Sequence, residues 1–196
     1  MMSSNMQNIL AALRRQMNGA VSGTMRELGQ ADYLNFGVSL PTIKEIAMRY
    51  YPDNELAEEL ASHKSREAKI AALYVAENID LQTMERWSCH WANQEIARLS
   101  AMLLFHKSPQ AAIISNKWLE DSELRKIAAL YTAGKIADVV DGDIVDKILK
   151  INVPSGSAGV DAAVVYALRE IFHKQPQYHQ AIKSRDIAEL NWQIEG

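Results

Sequence analysis

The hexapeptide Lys-Ile-Ala-Ala-Leu-Tyr occurs twice in this chain, at 69–74 and again, letter for letter, at 126–131. The match extends on both sides, SREAKIAALYVAENID beside SELRKIAALYTAGKIAD. A looser copy, IARLSAMLLFHK, lies between them at Ile96 to Lys107. Another, VDAAVVYALREIFHK, follows at Val160 to Lys174. Copies spaced by about 30 residues fall in the range of helical-repeat arrays, in which each unit buries its apolar face only against its neighbours. Each copy reads as the inner helix of a helix pair, with apolar positions at helical spacing and Ser65 or Ser122 as N-cap. Asp53 and Asp80 can cap the preceding partner helices, Ser108 with Pro109 can begin a third, and Asp141 to Lys150 reads as another. Sustained polar/apolar alternation between hairpin turns is absent, so strands are not expected. Two interruptions, Phe36 to Pro41 and Val153 to Gly159, read as loops between pairs.

The expectation is an all-α fold, an α-solenoid of HEAT-like antiparallel helix pairs. It has about twelve helices and one domain over residues 1–196, and Ile70 and Ile127 are buried at equivalent places. Composition agrees. Only 9 Gly and 5 Pro interrupt an Ala-rich sequence, and Ala loses no side-chain entropy in a helix. A globular bundle with chance similarity between its core helices is the competing arrangement.

The formal net charge is -3, from 21 Lys and Arg against 24 Asp and Glu. The whole molecule therefore supplies no basic field, and any nucleic-acid contact must be local. One Cys, Cys89, leaves no internal disulfide and suits a reducing cytoplasm. No apolar run approaches the roughly 20 residues that span a bilayer, so no membrane partner is expected. Arg14 and Arg15 follow the N-terminal apolar stretch, the wrong order for a secretory signal. The five histidines show no helical metal-ligand spacing, so neither metal nor cofactor is expected.

Two clusters can carry chemistry. In RWSCHWANQEIAR, Trp87, Trp91 and Glu95 are spaced four and four, which places them on one face if the helix is continuous. If Asn93 starts a new helix, only Trp91 and Glu95 stay close. Indole faces beside a carboxylate suit a flat cation, although core packing explains the same residues. At the repeat starts, Arg66, Lys69, Arg125 and Lys126 can align into a stripe that meets successive phosphates, or can be ordinary solvated charges.

Several stretches in collinear order resemble the AlkD-like DNA alkylation repair family of HEAT-like repeat DNA glycosylases. These are YLNFGVSLPTIKEIAMRY with its Gly37-Val-x-x-Pro41 turn, Arg66-Glu-x-Lys-Ile-x-Ala72, WSCHWANQE, SELRKIAALY, and Tyr166-Ala-Leu-Arg-Glu170. The resemblance implies excision of cationic alkylated purines, 3-methyladenine and 7-methylguanine, from duplex DNA held on a concave face, without metal. It implies that Trp91 contacts the lesion's deoxyribose, that Glu95 stands where the family has its catalytic Asp, that Arg125 or Lys126 binds a phosphate, and that Tyr166 replaces a second active-site Trp. Trp91, Glu95, Arg125 and Tyr166 are then expected to converge on one surface. Ala162 stands where a basic residue is usual. With these departures the partner is weakly bound duplex DNA to a monomeric chain. The alternative is a non-catalytic scaffold for structured nucleic acid or a protein partner.

Overall fold

A computed structural model describes residues 2–27 and 34–195. Among the described residues there are thirteen α-helices, one more than the sequence suggests, and the sole strand-like feature is an isolated bridge between Leu34 and Ser65. No helix among them is long and apolar enough to cross a membrane. The chain divides into two compact units, 1–104 and 105–196.

The first unit holds α1 (Ser4–Arg15), α2 (Gly19–Glu27), α3 (Leu40–Ala47), α4 (Asn54–Ala61), α5 (Arg66–Val75), α6 (Leu81–Ser88) and α7 (Gln94–Leu103). Its centre is α5, which packs against α1, α3, α4 and α7. Every residue of α5 except Tyr74 is buried. A helix covered on all sides can keep charged residues only if each finds a partner, and Arg66, Glu67 and Lys69 all do. Side-chain oxygens of Asp53, Ser65 and Asp80 accept from backbone N–H groups in the first turns of α4, α5 and α6, as their positions predict.

The second unit holds α8 (Ala111–Trp118), α9 (Glu123–Lys135), α10 (Gly142–Lys150), α11 (Ala158–Lys174), α12 (His179–Lys183) and α13 (Ala188–Glu195). Here α9 packs between α8 and α11, and α11 also meets α10, α12 and α13. Fully buried Trp118 lies 6.1 Å from Phe105, and with Ile114 and Leu130 they form its core. The two copies of the hexapeptide keep the same pattern: Ile70 to Leu73 and Ile127 to Leu130 are buried, while Tyr74 and Tyr131 are half-buried.

Local details depart from expectation where caps compete. The helix placed at Ser108 starts at Ala111, because Ser108 instead accepts from the N–H of Gln110 in a preceding turn. Ser122 precedes α9 without a side-chain cap bond. The Phe36–Pro41 loop ends early, with Leu40 and Pro41 already in α3 behind the Ser39 cap, and Ala158 and Gly159 already belong to α11.

Gly37 explains the turn before α3. Its φ is +69°, and a Cβ there would sit 2.4 Å from the Asn18 carbonyl oxygen and 2.8 Å from the Ser22 nitrogen. Gly37→Ala therefore meets both backbone strain and a clash against main chain. The expected loss is about 1–3 kcal/mol of unfolding free energy, measured by urea denaturation. A change within 0.5 kcal/mol would contradict the tight approach.

Candidate nucleic-acid interface

In the first unit the Trp-rich stretch is two helices, not one. Helix α6 stops at Ser88, and Asn93 caps α7 by accepting from the Ile96 N–H at 3.2 Å. Trp87 therefore belongs to α6, Trp91 to the connecting turn and Glu95 to the first turn of α7, so of the two arrangements the sequence allows it is the one in which Asn93 starts a new helix. Trp87 is buried, and its indole N–H donates to Glu58 Oε2 at 2.7 Å. Glu58 also accepts from Arg86; burial opposes its ionisation, but the bonds from Arg86 and Trp87 hold its carboxyl below the usual range. Trp91 is half-buried and, with Lys69, Leu73, Trp87, Ile96 and Ser100, borders a narrow gap between α5 and α7.

Glu95 is held by Arg66. The Arg66 guanidinium donates through Nε to Glu95 Oε2 and through Nη2 to Oε1, both at 2.7 Å. This is the bidentate fork that guanidinium and carboxylate planes favour. Nη1 of Arg66 donates to the Val38 carbonyl at 3.2 Å and to Glu67 Oε1 at 3.3 Å. Glu67 is fully buried, and its carboxylate also accepts the backbone N–H groups of Phe36 and Val38. One cation thus binds two carboxylates and a loop carbonyl. It ties the turn before α3 to the starts of α5 and α7.

Arg66 and Lys69, expected on an exposed phosphate-binding stripe, are buried: Arg66 is 3% exposed and Lys69 7%. The Lys69 ammonium donates to the Ala61 carbonyl at 3.0 Å, at the last turn of α4. Free carbonyls and the negative end of the helix dipole favour a cation there. Burial holds this amine below the ordinary lysine range. The reason for both departures is the position of α5, packed on four helices.

In the second unit, Arg125 is partly exposed. Its Nη1 donates to Asp121 Oδ2 at 2.8 Å, and its guanidinium lies 5.4 Å from the Trp118 ring centroid, within cation–π range. The backbone N–H of Ser122, then Arg125, keep the Asp121 carboxyl below the usual range. Lys126 follows, half-exposed, on the same turn of α9. On α11, the Tyr166 ring lies 5.0 Å from that of Tyr131, and burial raises its phenol above the ordinary range. Among the described residues, no group of three or more His, Cys, Asp or Glu side chains is placed to hold a metal ion.

Helix pairs with a repeated hexapeptide on their inner helices define a HEAT-like helical protein. Residues 9–188 match the family model described as DNA alkylation repair enzyme, and the chain belongs to that family. Among solved structures, a protein described as one of a new family related to the HEAT-like repeat DNA glycosylases, with affinity for branched DNA structures, superposes with a TM-score of 0.77. The match covers 96% of this chain and 83% of that one at 15% identity. At that identity it establishes the HEAT-like fold. No curated protein matches significantly.

Proposed function

We propose that this protein binds DNA and recognises its shape, with Glu95 taking no part in cutting a glycosidic bond. The Arg66–Glu95 fork is the observation that carries this reading. A carboxylate that stabilises a sugar cation must turn an oxygen towards the sugar. Here each Glu95 oxygen is 2.7 Å from a nitrogen of a guanidinium that is itself buried, so the carboxylate faces inward. A lone carboxylate about 4 Å from a cation is worth about 4 kcal/mol at an effective dielectric of about 20. With Arg66 clamped to it, most of that field cancels. Membership of the alkylation repair family and the branched-DNA affinity of the structural relative support DNA as partner. Arg125 and Lys126 then supply the phosphate contacts. The lone Cys89 suits work in the cytoplasm.

Excision of 3-methyladenine or 7-methylguanine is the second reading, favoured by the family and by the 18% of the Glu95 side chain that is exposed. It requires Glu95 to leave Arg66 and face the sugar, with Trp91 beside it.

Titrating labelled plain duplex and a branched junction at low salt tests the DNA reading. Binding to both is expected, about micromolar or weaker for plain duplex and tighter for the junction. Absence of binding to either would overturn it and favour a scaffold for a protein partner.

A further inference from the structure

Tyr166 sits in a seat built around it. The half-buried Tyr131 ring lies 5.0 Å away, tilted by 37°. The Arg169 guanidinium lies 5.3 Å from the Tyr166 centroid and is itself held by Glu170 and Gln193. Gly134, one turn beyond Tyr131 on α9, leaves space that no other residue would: a Cβ there would lie 2.5 Å from Tyr166 Cε1 and 2.8 Å from Cδ1. Two tyrosines are thus brought together, oriented from three directions, and left partly open. A ring fixed in advance loses little entropy when something flat lies on it.

We infer that Tyr131 and Tyr166 form a stacking platform for one unpaired nucleobase, with Gly134 and Arg169 setting its geometry. The inference rests on the DNA reading and gives it a source of shape selectivity. Paired duplex offers its base faces only to neighbouring bases, whereas a bulge or a branch point offers an unstacked one. Stacking on an aromatic side chain is tolerant of base identity, because every base has a π-face.

The test uses the intact protein, a duplex with a single unpaired 5-iodouracil, and the same duplex without the bulge. Ultraviolet irradiation of the wild-type complex is expected to cross-link the iodouracil to Tyr131 or Tyr166, as mapped by mass spectrometry. Tyr131→Leu is expected to lose about tenfold in affinity for the bulged duplex, the order of one stacked base, with little change for the paired one. Tyr131→Phe, which keeps the ring, should restore the preference. Cross-links elsewhere, or an equal fall for both duplexes, would overturn the platform while leaving DNA binding intact. Failure of the wild type to bind either duplex would overturn both.

Discussion

Arg66→Met is expected to cost about 3–5 kcal/mol of unfolding free energy, the range for breaking a buried ion pair by removing one partner. The size follows from what stays behind. Glu67 is fully buried and Glu95 mostly so, and both lose their cation while the Val38 carbonyl loses a donor. Glu95→Gln removes the more exposed carboxylate and keeps an oxygen for Arg66, so it should cost less, about 1–2 kcal/mol. Combining Arg66→Met with Glu67→Gln should cost less than the sum of the single changes, because the fully buried carboxylate of Glu67 is then neutral and only Glu95 is left without its cation. Urea denaturation of the wild type, the three single variants and the double variant measures this. A near-neutral Arg66→Met would mean that the guanidinium is not the bolt described here.

The second large effect is on salt dependence. Two phosphate contacts, through Arg125 and Lys126, give a log–log slope of about -1.8, from about 0.9 per contact in duplex DNA. Raising salt from about 50 to about 200 mM then weakens binding roughly tenfold. With Arg66 and Lys69 buried, the steeper slope of four contacts is not expected. Arg125→Ala should weaken binding to paired and branched DNA alike and reduce the slope by about one unit. Asp121, released from Arg125, adds a repelling carboxylate to that loss. An unchanged slope in Arg125→Ala would place the phosphate contacts elsewhere.

Much of the fold is legible in the sequence because its signals are local. Asp53, Ser65, Asp80 and Asp141 each accept from an N–H three residues on, and that chemistry needs only the cap and one turn. The repeat conveys burial of its apolar core as well, since Ile70 to Leu73 and Ile127 to Leu130 are buried alike, although Lys69 is buried and Lys126 is not. The N-terminal helix was legible too: Met6, Ile9, Leu10 and Leu13 are its buried face behind a Ser3 cap. A reading confined to targeting signals passes over that spacing. The candidate site is less legible. Arg66 and Glu95 are 29 residues apart, and each reads alone as a functional charge. Only when α5 and α7 are set side by side do their starts meet, and the repeat alignment contains that information. Trp87 and Trp91 show the converse: ideal helical spacing is cut by the Asn93 cap, a signal that competes with periodicity over a few residues.

The central claim is that DNA is recognised while Glu95 remains with Arg66. Release of 7-methylguanine from a methylated duplex, under conditions where binding is shown in the same tube, tests it most directly. The account predicts that wild-type protein and Glu95→Gln both bind the duplex and that base release stays at the spontaneous rate for each. Release by the wild type well above that rate, abolished in Glu95→Gln, would contradict it and make Glu95 the catalytic carboxylate.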